Sequence, residues 1–144
     1  MPEITTALDI DATQEKVWAV ISDLSRFEDW NTLHTRWEDG PPTALEQGVR
    51  ITEVVTIKGI VDTIEFNTTD FRPPRSISLS GLGSTGSTVS LDFCVDPRGQ
   101  EGCTVTLHIE FTSSMLFGPM GKLIGRAFRK QLDASLVKLA ALTS

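Results

Sequence analysis

Leu116-Phe117-Gly118-Pro119-Met120 opens a stretch that runs to about Leu142, and the reading of that stretch decides the fold. Met120, Leu123, Ile124, Ala127 and Phe128 recur at three- and four-residue steps, and Leu132, Leu136 and Leu139 continue the run. Apolar residues at that spacing stack on one face of an α-helix. Lys122, Arg126, Arg129, Lys130 and Asp133 recur at the same steps on another face. One face is built to be buried and the other to be wet. Pro119 suits the first turn, where its missing N–H removes no hydrogen bond. No other segment is long and periodic enough for a long helix.

Upstream, from Ile51 to Thr112, apolar residues alternate with polar ones, the pattern of half-buried strands. Val49, Ile51, Val55 and Ile57 share a face, with Glu53 the odd member. Lys58-Gly59 turns into a strand in which Ile60, Ile64 and Phe66 share a face with Asp62 and Thr68, stopped by Arg72-Pro73-Pro74-Arg75. Ile77 and Leu79 begin the next strand, Gly81 to Gly86 read as a loop, and Val89 to Val95 form another. Asp96-Pro97-Arg98-Gly99 turns into the last, ending at Phe111 and Thr112. Before these come a strand over Glu3 to Asp11, a helix from Gln14 capped by Thr13, and a second short helix around Arg26 to Trp30, capped by Asp23 or Ser25. A further strand spans Leu33 to Glu38, and Gly40-Pro41-Pro42 turns out of it. The expected architecture is α+β: a curved seven-stranded antiparallel sheet around a long C-terminal helix, with two short helices after the first strand.

The 144 residues suit one domain over residues 1–144, and the 40% hydrophobic content suits a real core. No window approaches the roughly 18 apolar residues of a membrane span, and Met1-Pro2-Glu3-Ile4 lacks a signal-peptide pattern, so a cytoplasmic location is expected. A net charge of −6 disfavours general attraction to nucleic acid or anionic membrane. Strand parity puts Cys94 on the polar face and Cys103 on the apolar one, so two free thiols are expected. Neither cysteine has a partner at metal-ligand spacing. No metal or cofactor is expected.

The order of elements, together with Val17-Trp18-Ala19-Val20-Ile21-Ser22-Asp23-Leu24-Ser25-Arg26-Phe27-Glu28-Asp29-Trp30, resembles the helix-grip fold of the START-like (SRPBCC) superfamily, in its polyketide cyclase/dehydrase-like branch. The Pro-Pro turn and Leu116-Phe117-Gly118-Pro119-Met120-Gly121 are similar to a small actinobacterial subfamily, one mycobacterial member of which is known as the toxin of a type II toxin–antitoxin pair. The resemblance covers nearly the whole chain. It implies a ligand cavity between helix and sheet, and a possible antitoxin partner. One departure is the absence of tyrosine, which many aromatase/cyclase members place in the cavity.

On that frame, Phe27, Trp30, His34 and Trp37 fall at the expected cavity mouth. Val55, Ile64, Phe66, Leu79, Leu91, Phe93, Leu107, Ile109 and Phe111 face inward by alternation, some as lining and most as core. Met120, Gly121, Ile124, Gly125 and Phe128 bring the helix to the cavity. A helical glycine costs about 1 kcal/mol against alanine, so Gly121 and Gly125 imply either room for a ligand or close backbone packing. Glu53 and Asp62, each in an apolar set, are the candidate general acids or bases, against the plainer state of solvated or paired strand-end acids. His34 is expected at the surface, within reach of a polar ligand head, and His108 on the outer face. Gly81-Leu82-Gly83-Ser84-Thr85-Gly86 matches G-x-G-x-x-G but leads into a strand, so the helix N-terminus that would hold a pyrophosphate is missing. The expected function is binding of a small hydrophobic molecule, such as a lipid, polyketide-like or aromatic compound. The alternatives are a polyketide cyclase/dehydratase-type enzyme and a toxin whose basic face, Lys122, Arg126, Arg129 and Lys130, docks an acidic partner or nucleic acid instead of being a plain solvated helix face.

Overall fold

The alternating segments do form strands, and their register defines the molecule. The structure, a computed structural model, describes residues 3–38, 44–57, 59–84, 86–112 and 119–143, with side chains in the last segment from residue 122 onward. The strands are β1 (Glu3–Ile10), β2 (His34–Trp37), β3 (Arg50–Ile57), β4 (Ile60–Arg72), β5 (Ser76–Gly83), β6 (Thr88–Arg98) and β7 (Gly102–Thr112). They lie in the order β1-β7-β6-β5-β4-β3-β2, each pair antiparallel. Strands β3 to β7 follow chain order because short turns join them, and β2 pairs with β3 at the far edge. The first strand instead pairs with the last, Ile4 opposite Ile109 and Ile10 opposite Cys103. The result is a curled half-barrel whose apolar face wraps a helix.

That helix is α3 (Pro119–Thr143). Ile124, Ala127, Leu132, Leu136 and Leu139 are buried along one stripe, and Lys122, Arg126, Arg129, Lys130 and Asp133 are exposed on the other. Leu123, counted above in the apolar run, is 48% exposed and lies at the edge of that stripe. The helix is tied to the first strand by polar contacts: Thr6 donates through Oγ1 to Oδ1 of Asp133, and Arg129 donates to the Thr5 carbonyl at 3.4 Å. Two short helices, α1 (Gln14–Ile21) and α2 (Phe27–Trp30), follow β1, with a 3₁₀ turn at Leu24–Arg26 between them. Thr13 caps α1 by accepting from the Lys16 N–H at 3.2 Å. Asp23, not Ser25, caps the 3₁₀ turn, accepting from the Ser25 N–H at 3.1 Å.

The segment read as a loop from Gly81 needs correction: β5 runs on through Gly83, with Gly81 opposite Phe66 and Val89. Gly81 is there for space. A Cβ at that position would lie 2.6 Å from Ile64 Cγ2 and 2.7 Å from Phe66 Cδ1, so its absence lets both side chains settle on the inner face. Gly59 and Gly99 turn the β3–β4 and β6–β7 hairpins at φ of 79° and 70°, a conformation that favours glycine. The Gly40-Pro41-Pro42 turn and the Leu116–Gly118 opening lie outside the described residues. Cys103 is buried and Cys94 half-buried, both as free thiols, with Cys94 opposite Thr106 and Cys103 opposite Pro97. Burial pushes both thiols further up, keeping them protonated and poorly nucleophilic.

Candidate functional site

The half-barrel and α3 do not meet everywhere. Between them lies a cavity with about 50 Å³ open to the centre of a water molecule. Its walls come from every layer of the fold. The end of α2 and the residues after it supply Trp30, Asn31 and Leu33, while β3 and β4 supply Glu53, Val55, Ile64 and Phe66. Further round, β6 and β7 contribute Val89, Leu91, Phe93, Leu107 and Ile109, and α3 closes the space with Phe128, Leu132 and Ser135. The lining is almost wholly apolar. Trp30 stacks edge-on against Phe93, with ring centroids 6.0 Å apart, and Phe128 packs on Phe111 at 4.4 Å.

One acid breaks that apolar wall. Glu53 is 4% exposed, although β3 lies next to the edge strand β2. Its Oε2 lies 2.5 Å from Nδ1 of His34, whose side chain is equally hidden. Burial pushes the Glu53 carboxyl above its ordinary value of 4.5, and the hydrogen bond and charge of His34 oppose that rise without cancelling it. The two side chains thus form a hydrogen-bonded pair away from water. The expectation of a surface histidine fails because β2 folds His34 under an aromatic cover. The ring lies 4.8 Å from Trp37 and 6.0 Å from Phe27. Trp37 is pinned in turn by donating from Nε1 to the Leu24 carbonyl at 2.8 Å.

Two more polar groups sit on the lining. Trp30 is 1% exposed, and its indole Nε1 has no hydrogen-bond partner among the described residues. Ser135, by contrast, is saturated: its Oγ accepts from the Thr32 N–H at 3.0 Å and donates to the Gln131 carbonyl at 2.8 Å. Thr32 Oγ1 donates to the same carbonyl at 2.9 Å. This knot clamps the turn after α2 onto α3 and so holds Trp30 in place.

Of the residues singled out from sequence, Glu53, Trp30, Val55, Ile64, Phe66, Leu91, Phe93, Leu107, Ile109 and Phe128 come together around the cavity. Phe27, His34 and Trp37 stand one layer behind it as an aromatic cluster, while Leu79, Phe111 and Ile124 are buried core outside the lining. Gly125 is half-buried and also outside the lining, yet a Cβ there would meet nothing within 4 Å. Close backbone packing therefore does not explain it. Met120 and Gly121 lie outside the residues whose side chains are described. Sequence reasoning missed Asn31, Leu33, Val89, Leu132 and Ser135. The available signal was Ser135, a polar residue inside the Leu132, Leu136 and Leu139 stripe.

Asp62 is not at the cavity. Its Oδ1 accepts from the Ser84 N–H at 3.1 Å and from Ser84 Oγ at 2.8 Å, and its Oδ2 accepts from Ser87 Oγ at 2.8 Å. It organises the turn between β5 and β6 and, against the sequence expectation, does not line the cavity. Gly83 of the G-x-G-x-x-G stretch stands beside the same turn: a Cβ there would fall 2.5 Å from Asp62 Oδ2. His108 lies on the outer face as expected, held by Thr5 Oγ1 at 2.6 Å and placed 3.3 Å from both Glu3 and Glu110. These three form the one cluster of metal-type side chains among the described residues, with donor atoms within 4.8 Å of one another.

The family model for polyketide cyclase / dehydrase and lipid transport matches residues 1–143. The chain belongs to that family. A Mycobacterium tuberculosis protein named as a toxin is 29% identical to this member over 136 residues, 94% of each chain. An uncharacterized protein of the same organism is 27% identical over 142 residues, 99% of each. Among solved structures, a START superfamily protein from Mycobacterium smegmatis superposes with a TM-score of 0.76 at 15% identity, covering 98% of this chain and 99% of that one. A Thermus thermophilus protein does so at 0.76 with 19% identity, covering 97% and 95%. Those likenesses establish the fold of this family member. No helix among the described residues is long and apolar enough to cross a membrane.

Proposed function

We propose that the protein binds a small, largely apolar molecule in the cavity between the half-barrel and α3. The observation that carries this reading is the cavity itself, walled by aromatic and aliphatic side chains from four strands, α3 and the end of α2. The family's description, which couples polyketide chemistry with lipid transport, agrees with an apolar guest. Burial of apolar surface, at about 25 cal/mol per Å², supplies most of the affinity. A water needs roughly 10–15 Å³ of such space. The 50 Å³ here then hold about four waters, roughly a third of the 150 Å³ in which benzene binds, so even a single ring needs the walls to give. A lipid chain or fused rings would need α3 to move away from the sheet.

Thermal unfolding with single-ring and fused-ring hydrocarbons, followed by tryptophan fluorescence, tests the reading. Single rings are expected to raise the midpoint and perturb Trp30, whereas no shift with any apolar compound, and none co-purifying by mass spectrometry, would end it. A cyclase or dehydratase reading rests on Glu53, the buried acid on the lining; turnover lost in Glu53→Gln with binding intact would favour it. The relative named as a toxin supports a third reading, with an antitoxin as partner. Growth arrest on expression, relieved by a neighbouring gene's product and weakened by charge reversal at exposed Arg126 and Arg129, is its signature.

A further inference from the structure

We propose that Glu3, His108 and Glu110, on the outer face of the sheet, bind a divalent transition-metal ion of the zinc type that clips the first strand to the last. None of the three lines the cavity, so the proposal stands apart from the reading of that space. Local spacing supplies only two of the ligands: His108 and Glu110 are two apart on β7 and share its outer face. Glu3 arrives from the other end of the chain, because the β1–β7 register sets Glu3 opposite Glu110 and Thr5 opposite His108. Two carboxylates directly opposite each other repel. Among the described residues neither is paired with a Lys or Arg, and His108 is the partner of both. Arg129, which reaches β1 from α3, donates to the Thr5 carbonyl, and Asp92, opposite His108 on β6, adds a further acid to this face.

The distances fit a metal better than a hydrogen bond. His108 Nε2 is 3.3 Å from Oε1 of Glu3 and 3.3 Å from Oε1 of Glu110. A charge-assisted N–H···O bond closes to about 2.7–2.9 Å, and one N–H cannot point at both oxygens. Two ligand atoms held about 2.0–2.1 Å from a tetrahedral zinc ion stand about 3.3–3.4 Å apart. All three donor atoms lie within 4.8 Å of one another. Thr5 Oγ1, 2.6 Å from Nδ1, is placed to accept from it and leave the Nε2 lone pair for the ion, which is how metal-bound histidines are oriented. A neutral imidazole, two carboxylates and a divalent cation also sum to zero charge. The imidazole selects zinc over magnesium or calcium, which take oxygen ligands.

Calorimetric titration of the untagged chain with zinc chloride tests the proposal. One ion per chain is expected, with a raised thermal midpoint because the ion holds the paired strands and not the unfolded chain. Magnesium chloride should give neither. His108→Gln and Glu110→Gln should each weaken zinc binding about 100-fold, and Thr5→Val, which suits a strand, about tenfold. Melts of these variants in a chelator are expected to stay close to wild type, since the side chains lie on the outer face, and this separates loss of the site from loss of the fold. No zinc binding by the wild type overturns the proposal. Binding that survives unchanged in His108→Gln overturns it as well and assigns the ion to other ligands, such as the free thiols.

Discussion

Glu53 and Asp62 occupy equivalent places in the pattern of the chain, each an acid in a set of inward apolar residues, and the fold treats them in opposite ways. Asp62, near one end of β4, is surrounded by donors: the Ser84 N–H and hydroxyl and the Ser87 hydroxyl. Its oxygens are answered by hydrogen bonds, and its work is to shape a turn. Glu53, mid-strand on β3, has an apolar cavity beside it and His34 as a hydrogen-bonded partner. Its neighbourhood resists charge. A carboxylate that accepts several hydrogen bonds is structural. One that is desolvated and held by a single histidine is expensive, and such expense is what functional sites carry.

The largest effect that would break this contrast is removal of His34. His34→Ala leaves Glu53 buried with no counter-group, and it should cost about 3–5 kcal/mol at neutral pH by urea unfolding. The loss should shrink towards pH 4, where Glu53 is neutral. A pH-independent loss would mean that His34 matters only as an aromatic packing element.

Next in size is the other acid. Asp62→Ala strands the buried Ser87 hydroxyl, while the Ser84 N–H keeps the Thr63 carbonyl at 2.9 Å, with an expected cost of about 2 kcal/mol by the same measurement. Binding of single-ring compounds should be unchanged, since Asp62 is off the cavity. Loss of binding with full stability would place Asp62 back among the site residues.

Glu53→Gln sharpens the comparison through its sign. Because burial raises the folded-state pKa, wild-type Glu53 contributes stability that is complete below about 4.5 and is lost as pH rises through the raised value. The variant does not titrate there. Its stability relative to wild type should therefore climb above pH 4.5, by up to about 1.4 kcal/mol per pH unit, and level off beyond the folded pKa. Unfolding midpoints across pH 4–8 check this, and a relative stability that falls with pH would reverse the assignment.

The smallest expected effect concerns the helix that closes the cavity. Gly125→Ala adds a Cβ that meets nothing within 4 Å, so it should stabilise by about 0.5–1 kcal/mol through helix propensity alone. A destabilised variant in a thermal melt would show that the space beside Gly125 is filled.

The two periodicities carried most of the architecture. Steps of three and four over residues 119–143 and alternation over residues 51–112 specified a long helix and a set of strands, and short turns between the strands left a meander as the simple topology. The cavity was less legible. Alternation marks which strand residues face inward, but lining and core are both inward, so Leu79 and Phe111 could not be told from Phe66 and Phe93. Leu123 shows the same limit on the helix, where the apolar run is wider than the face that is buried. The Gly81–Gly86 reading failed because glycine signals a loop locally, whereas at Gly81 it makes room for Ile64 and Phe66 across the strand.

What the chain determined by itself is the order, kind and apolar face of its elements, because those depend on spacing between near neighbours. Which acid is hidden, which histidine answers it, and where helix and sheet leave a gap depend on residues brought together from across the chain: His34 and Glu53 are 19 positions apart, Thr32 and Ser135 are 103. Desolvation and pairing are properties of that assembled surrounding, and no local pattern encodes them.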